Sequence, residues 1–326
     1  MINRNILIDG NNLLHRIYYA LVKDKEPLTS HSGYPTGLIF GVFHTISDWI
    51  GDISDPTRME FFLDGVPKRR LDIDPQYKFK EDSIQPGKDP CPIKLSDGFE
   101  AKNEVEVIAH LFQLLGADLY YHKEEEADDL IASYIKRHEN DVNIIISNDK
   151  DFYQLLADNP RVIIYKPGVS GDRFFDAERA EEDLFKKFKV RIPPANVRMF
   201  KALTGDPSDN ITGIPRLRKR VAAPLCECKS VDELYETGLP GLSKAEREKA
   251  ISLKEKIATN FELVALHDDL DIEIIRNRIE SDFEMASKIF KEDLNINSVY
   301  PYTFEFKSKG TFRTSFCGVA DFLQDI

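Results

Sequence analysis

The sequence predicts an α/β fold in which helices flank a parallel sheet, and three observations support this class. Short apolar runs of strand length recur through the first half of the chain, and every run is followed by acidic residues. Segments with apolar residues at helical spacing lie between the runs. Strands that alternate with helices are typical of parallel sheets, because parallel neighbours need a crossover connection.

Four runs are interpreted as strands because turn-forming or polar residues bound them. They are NILI before Asp9, MEFFL before Asp64, DLYY before HKEEEADD, and NIIIS before Asp149. Residues 37–49, 104–115 and 127–138 carry apolar side chains at i, i+3 and i+4 spacing, so we expect a helix in each.

The composition suits a globular protein without a membrane segment. The 326 residues are 42% hydrophobic and 31% charged. No apolar run approaches the roughly 20 residues of a membrane helix, and no signal-peptide core precedes RNILIDGNN, so we expect a cytoplasmic protein in a bacterial or infected host cell. The net charge of −12 argues against indiscriminate nucleic-acid binding, although net charge does not reveal where cations cluster.

Acidic side chains from separate segments should meet at one edge of this sheet, because the carboxyl ends of parallel strands lie together there. These side chains belong to Asp9, Asp64, Glu126, Asp128, Asp129, Asp149 and Asp151. Each alone is compatible with a solvated turn, but their coincidence favours divalent cations that neutralise the repulsion. Oxygen ligands without His or Cys favour magnesium, manganese or calcium over zinc.

Two further segments have an open interpretation from their residues alone. LTGDPSDNITGIP, with Asp206 and Asp209, follows a boundary at Pro193 and Pro194 and suits a turn before a helix. PKRRLDIDPQYKFK is basic and begins a stretch of about forty residues without a clear element, which is either functional or a solvated face.

Six motifs together resemble the structure-specific 5′ nuclease family, which includes flap endonucleases, the 5′ nuclease domain of bacterial DNA polymerase I and, most similar, the ribonuclease H enzymes of bacterial viruses. The motifs are IDGNN (8–12), FFLDG (61–65), YKFK (77–80), EEADDLIA (125–132), SNDKDF (147–152) and TGDPSDNITGIP (204–215). The resemblance implies a PIN-like parallel sheet with mixed edges, a helical arch and a C-terminal helical duplex-binding domain.

The resemblance also implies a domain plan. A catalytic domain would cover residues 1–195 and include an arch at about 66–102. An atypical helix-hairpin-helix domain would cover 196–280, and an extension would cover 281–326.

Two Mg²⁺ ions, replaceable by Mn²⁺, are the cofactors that the resemblance implies. One ion would be held by Asp9, Asp64, Glu126 and Asp128. The second would be held by Asp128 or Asp129 with Asp149, Asp151, Asp206 and Asp209.

Contacts to nucleic acid are implied by the same resemblance. Arg70 and Lys78 would contact the reactive phosphate, and Tyr77 would stack on a base or pack locally. The remaining expected contacts are Lys68, Arg69, Lys80, Arg216, Arg218, Lys219 and Arg220. Two departures stand out: Glu81 occupies a position where the family often has Arg, and Arg216 and Arg218 replace expected glycines. The hairpin and its K⁺ ion are therefore in question, and side chains would contact phosphates instead.

The function implied is a magnesium-dependent 5′-to-3′ nuclease that cleaves 5′ flaps, duplex 5′ ends and RNA–DNA hybrids and removes RNA primers. Its expected partners are flapped or nicked DNA and hybrids, with a single-stranded-DNA-binding protein or sliding clamp as further candidates, and it would act as a monomer. Two alternatives stay open: a non-catalytic junction-binding protein, and a PIN-type ribonuclease for single-stranded RNA.

Overall fold

The computed structural model describes residues 2–53, 56–79, 85–157 and 159–299. The strands are β1 Arg4–Asp9, β2 Arg58–Leu63, β3 Ile93–Lys94, β4 Glu100–Ala101, β5 Asp118–Tyr121, β6 Val142–Ile146, β7 Val162–Tyr165, β8 Phe174–Phe175, β9 Gly205–Asp206, β10 Ile211–Thr212 and β11 Arg276–Asn277. The α-helices are α1 Gly10–Ile17, α2 Gly37–Asp52, α3 Lys68–Ile73, α4 Glu104–Leu114, α5 Ala127–Arg137, α6 Ala177–Phe188, α7 Val197–Thr204, α8 Lys219–Leu225, α9 Val231–Glu236, α10 Lys244–Ser252, α11 Lys254–Leu263, α12 Ile272–Ile275 and α13 Phe283–Lys288. Short 3₁₀ helices cover Asp151–Leu156 and Pro194–Asn196, and π-helical turns cover Tyr18–Val22 and Ile289–Asp293.

Seven strands form one sheet in the order β11-β5-β2-β1-β6-β7-β8. The five inner strands are parallel, and the edge strands β8 and β11 are antiparallel to their neighbours. The predicted α/β class, with a parallel sheet and mixed edges, is therefore confirmed. Asp9 pairs with Phe62, and Ile8 pairs with Ile146, so the carboxyl ends of β2, β1 and β6 lie side by side.

Alternation along the strands divides the core between the two faces of the sheet. Ile6 and Ile8 of β1 face a layer built by α2, α4 and α13, whereas Leu7 faces a layer that contains residues of α5 and of α6 to α11. The helices from α7 to α11, which follow residue 196, thus share a hydrophobic core with the second face. Residues 283–299 add Phe290 and its neighbours to the first layer.

Two short strands, β9 and β10, lie between α7 and α8 and precede positions 216 and 218, where glycine was expected. β9 and β10 pair antiparallel, and a Cβ on Gly213 would lie 2.3 Å from the Gly205 nitrogen, so only glycine fits there. A turn follows in which the Leu217 N–H donates to the Ile214 carbonyl. Arg216 adopts a φ of 66° in this turn, which is the left-handed conformation that glycine would adopt at lower cost.

Some sequence-based expectations fall outside the described residues. Lys80 and Glu81 are among them, as are residues 300–326. Within the part of the chain that is described, no helix combines the length and apolar character needed to cross a membrane.

Glu60 of β2 is a buried carboxyl group in the second face of the sheet. Its Oε1 accepts a hydrogen bond of 3.0 Å from the Tyr134 hydroxyl, whereas Oε2 has no partner among the described residues. Burial, with a further contribution from the nearby Asp118, raises the pKa of Glu60 from 4.5 to about 8. Folding therefore favours the protonated carboxyl, and the stability from this group is fully present below pH 4.5 and is lost as pH rises through about 8.

We expect Glu60→Gln to remove this pH dependence, because the amide cannot ionise and its oxygen can still accept from Tyr134. Relative to the unmodified protein, the free energy of unfolding of the variant should be higher at pH 7 than at pH 5 by about 2 kcal/mol. Urea denaturation at both pH values measures the difference, with the exposed Glu236→Gln as the matched control. An equal effect of Glu60→Gln at both pH values would contradict the shifted pKa.

Candidate metal centre and nucleic-acid interface

A cavity of about 560 Å³ opens at the carboxyl edge of the inner strands. Five acidic residues from four separate segments line it: Asp9, Asp64, Glu126, Asp128 and Asp149. Asp9 ends β1, Asp64 directly follows β2, and Glu126 immediately precedes α5. The parallel order β2-β1-β6 thus brings together acids that are far apart in the sequence.

Hydrogen bonds to the backbone hold two of these carboxylates in place. Asp9 caps α1 by accepting from the Asn12 N–H at 3.1 Å, and its other oxygen accepts from the Ser147 hydroxyl at 2.8 Å. Asp64 accepts from the Ala127 N–H at 2.8 Å, which connects the end of β2 to the first turn of α5. Both side chains therefore have a fixed orientation towards the cavity.

The carboxylates of the cavity destabilise one another's charge. Burial, together with the nearby Asp64 carboxylate, raises the pKa of Asp9 to about 7. Burial also raises the pKa of Asp64, against the opposing effect of Lys78. The pKa of Asp128 is well above its ordinary value because of burial and the charges of Asp9 and Asp149. Such a cluster is stabilised by bound cations.

Asp151, Asp206 and Asp209 form a second acidic group, in which carboxylate oxygens lie within 4.8 Å of one another. The Lys201 ammonium contacts Asp151 and lies 2.6 Å from Asp206. Burial opposes ionisation of Asp206, but Lys201 and hydrogen bonds from Ser208 hold its pKa below the ordinary value. Burial raises the pKa of Asp209 to about 6, although Lys78 opposes the rise.

One short turn connects the two acidic groups. The Asp151 N–H donates to the Asp149 carboxylate at 2.9 Å, so consecutive acids of the SNDKDF motif reach different groups. The acidic side chains of both groups offer only oxygen donors, which suit hard cations such as Mg²⁺ and Mn²⁺. The chemistry of the site therefore fits the expected metals.

Arg70 and Asp129 do not line the cavity, whereas Glu126 and Asp128 of the EEADDLIA motif do. Both are buried, and two guanidinium nitrogens lie 2.5 and 2.9 Å from the two Asp129 oxygens. Arg70 also donates to the carbonyls of Leu263 and Ala265, and Asp129 accepts from the His267 N–H. Arg70 and Asp129 thus form a buried ion pair that fastens α3 and α5 to the segment after α11. The expected roles of Arg70 in phosphate contact and of Asp129 in metal binding stay predictions.

Lys78 lies between the two acidic groups. Its ammonium is 2.5 Å from Glu126 and 3.9 Å from Asp209, and the backbone has a left-handed φ of 52°. The side chain also lines the cavity, where a phosphate could reach it. Tyr77, in contrast, is buried and lies near Glu126 at 3.3 Å, so it packs locally.

The sequence reasoning missed several residues of the cavity wall: Asn11, Asn12, His15, Tyr19, Gln85 and Lys88. Asn11 accepts from the Asp64 N–H, and Asn12 accepts from the Asn148 N–H, so the IDGNN motif joins neighbouring loops as well as supplying an acid. Burial raises the pKa of Asp64, and Lys88 is one of the cations that oppose this rise. Tyr19 is half exposed, and no motif in the sequence indicates that it lines the cavity.

The predicted basic contacts form two exposed regions. In α3, Lys68 pairs with Asp72 at 3.1 Å and Arg69 pairs with Asp269 at 3.0 Å. After the hairpin, four cations are exposed to solvent: Arg216, Arg218, Lys219 and Arg220. Of these four, Arg218 has an acidic neighbour among the described residues, Glu246 at 3.6 Å.

Comparisons with known proteins agree with this architecture. A family model described as 5′-3′ exonuclease, N-terminal resolvase-like domain, matches residues 4–188. The 5′-3′ exonuclease of Aquifex aeolicus is 30% identical over 293 residues, which cover 89% of this chain and 88% of that protein. DNA polymerase I of Bacillus subtilis is 28% identical over 302 residues, and the match covers 90% of this chain but 31% of that relative's length.

A solved structure supports the fold independently. A complex of the bacteriophage T5 flap endonuclease with DNA and metal ions superimposes with a TM-score of 0.57. The match covers 81% of this chain and 89% of that one at 20% identity, so it is a likeness of fold.

We expect Arg70→Met to destabilise the protein by about 3–5 kcal/mol, because it leaves the buried Asp129 carboxylate without its cation. Arg69→Met removes an exposed ion pair beside it and should cost about 1 kcal/mol or less. Urea denaturation at pH 7 measures both changes. Adding Asp129→Leu to Arg70→Met should recover most of the loss, and equal costs for the two single variants would exclude the buried pair as a structural anchor.

Proposed function

Because the chain belongs to the 5′-3′ exonuclease family, we propose that it is a divalent-metal-dependent nuclease that hydrolyses phosphodiester bonds at 5′ ends. Its substrates would be 5′ flaps, the 5′ ends of duplex DNA, and RNA–DNA hybrids, and its role would be the removal of RNA primers. It would work as a monomer in the cytoplasm on flapped or nicked DNA. The observation that carries the proposal is the shared cavity in which five carboxylates from four separate segments converge.

Two groups of ligands support two metal ions. Asp9, Asp64, Glu126 and Asp128 would hold one ion, and Asp128 and Asp149 with Asp151, Asp206 and Asp209 would hold the other. Two such ions, when bound, activate water and neutralise charge on the scissile phosphate and on the leaving oxygen. The assignment is supported by the oxygen-only donor set and by the raised pKa values of Asp9, Asp64 and Asp128.

The residues around the cavity would orient the substrate. The Lys78 ammonium faces both acidic groups and would contact a phosphate oxygen there, as a positioned cation in a partly enclosed site can. Lys88 would add positive charge on the opposite wall. Arg216 and Arg218, with the neighbouring Lys219 and Arg220, would contact phosphates of the duplex through side chains.

The proposed roles divide at about residue 195, but the hydrophobic core does not, because one core includes residues from both sides of this position. Residues before it supply the acids from Asp9 to Asp151, and residues after it supply Asp206, Asp209 and the basic hairpin. Because α7 packs in the same core as the sheet, it would hold the proposed duplex-binding hairpin beside the proposed metal ligands.

We expect the protein to release short products from the 5′ end of flaps and hybrids in Mg²⁺ but none in EDTA. Labelled substrates should include a 5′ flap, a nicked duplex, an RNA–DNA hybrid and single-stranded RNA. The Asp149→Asn/Asp151→Asn variant should bind the flap but lose cleavage by several orders of magnitude, because each acidic group loses a ligand.

Each alternative gives a different result in the same assay. Cleavage confined to single-stranded RNA would identify a PIN-type ribonuclease. Tight flap binding without cleavage by the unmodified protein would identify a junction-binding protein. Full activity of the double variant would show that Asp149 and Asp151 are not metal ligands. Asp48→Asn/Asp52→Asn, on α2 outside the cavity, is the matched control.

Arg216→Gly/Arg218→Ala should weaken duplex binding and make its salt dependence shallower, by about 0.9 in the log–log slope for each lost phosphate contact. Glycine preserves the left-handed turn at residue 216, so the variant removes side chains without straining the backbone. Fluorescence anisotropy at several salt concentrations measures the slope. Lys288→Ala/Lys291→Ala, which removes two exposed charges from the opposite face of the sheet, is the control; identical slopes for both variants would refute side-chain contact.

A further inference from the structure

A further basic surface lies at the C-terminal end of α6. We call it the α6 patch, and it consists of Lys186, Lys187, Lys189 and Arg191, all of which are exposed. The helix begins with acidic residues and ends with basic ones, in the sequence AERAEEDLFKKFKV. Neither the motifs nor the proposed metal sites include this surface.

Contacts through Phe188 join the α6 patch to the basic hairpin. The Lys187 and Lys219 ammonium groups lie 5.1 and 4.3 Å from the centre of the same Phe188 ring, although they belong to different helices. Phe188 also packs on Phe200 of α7 at 5.2 Å. The patch is therefore continuous with the start of α8 and has a fixed position relative to α7, which leads directly to Asp206.

Most cations of this surface lack an internal counter-ion. Among the described residues, no acidic group forms an ion pair with Lys186, Lys187, Lys189 or Lys219, whereas Arg191 pairs with Glu181 at 3.1 Å. The helix dipole favours Lys186 and Lys187 at the end of α6, but it does not account for Lys219 at the start of another helix. In a protein of net charge −12, such a cluster of unpaired like charges is suited to an anionic partner.

The aromatic rings of the patch distinguish duplex from single-stranded nucleic acid. Single-strand binding surfaces present ring faces on which bases stack. Here Lys187 and Lys219 lie over Phe188, and the Arg191 guanidinium lies 5.6 Å from the Phe185 ring centre. Phe188 is contacted by two cations, and Phe185, although 43% exposed, is a single ring. The surface therefore presents four charges but no series of stacking platforms, which suits the phosphate backbone of a duplex.

We propose that the α6 patch extends the phosphate-contact surface along the duplex arm of the substrate, beyond the basic residues 216–220 that follow the hairpin. The proposal rests on the proposed function, since it takes a nucleic-acid substrate at the metal site as its starting point. Contact would be independent of sequence, because it is made to phosphates. A duplex arm must be long enough to pass the hairpin before it reaches α6.

The test is duplex affinity as a function of arm length and salt. Flap substrates with arms of about 6 and about 18 base pairs, in which base pairs rise by about 3.4 Å, are titrated in EDTA with the full chain and with Lys186→Ala/Lys187→Ala. Lys189, which has a left-handed φ of 61°, is left unchanged so that the end of α6 is the same in every protein tested. The matched control is again Lys288→Ala/Lys291→Ala, and thermal unfolding shows that all variants are folded.

We expect the α6 variant to bind the long-arm substrate about tenfold more weakly, with a salt slope shallower by about 2, and to bind the short-arm substrate normally. Equal behaviour of the α6 variant and the control would overturn the proposal. Equal loss on single-stranded DNA would also overturn it, because the patch would then contact the single-stranded part. Cleavage of the short-arm flap in Mg²⁺ tests the proposed function separately, so failure of one proposal is distinguishable from failure of the other.

Discussion

Repulsion among carboxylates at one edge of a parallel sheet is the constraint on which the arrangement of this protein depends. Burial raises the pKa values of Asp9, Asp64 and Asp128, and neighbouring carboxylates of the cavity raise them further. A fold that kept such a cluster for stability alone would gain nothing from it, because unpaired buried charge destabilises the folded state. The cluster is explained by the cations that it can hold, and the rest of the chain keeps the acids together.

Different kinds of support hold the acids. One kind consists of hydrogen bonds that the cavity acids make themselves; Asp64, for example, accepts from the first N–H of α5. The other support is the ion pair of Arg70 with Asp129, which binds the same helix to the segment after α11. Because Arg70 also donates to Glu126 at 2.7 Å, one buried guanidinium positions a cavity carboxylate while lying outside the cavity. Stability and ligand geometry are therefore coupled at α5.

The sequence was sufficient where local pattern and topology act together. Apolar runs that end in Asp9, Asp64 and Asp149 predicted strands whose carboxyl ends meet, because parallel strands have only one such edge. It was insufficient for Asp129, whose motif neighbours Glu126 and Asp128 line the cavity. Its pairing with Arg70 joins residues 59 positions apart, and the backbone groups that both side chains bind lie more than a hundred residues further on. The short strands β8 and β11 were missed for a related reason: two-residue edge strands have no periodicity, and only tertiary pairing defines them.

The hairpin shows how charge and backbone conformation can replace glycine. Glycine allows close approach of the backbone to a phosphate, whereas Arg216 adopts the same left-handed conformation at some conformational cost and places a cation at the surface. A protein with net charge −12 must concentrate its cations if it is to bind a polyanion. Exposed cations of this chain are concentrated after the hairpin and at the end of α6, whereas the cavity is strongly acidic. Under the proposed function, these cations would attract phosphates to the surroundings of the cavity, and its carboxylates would repel phosphates until metal ions are bound. Substrate binding and metal binding would then be cooperative.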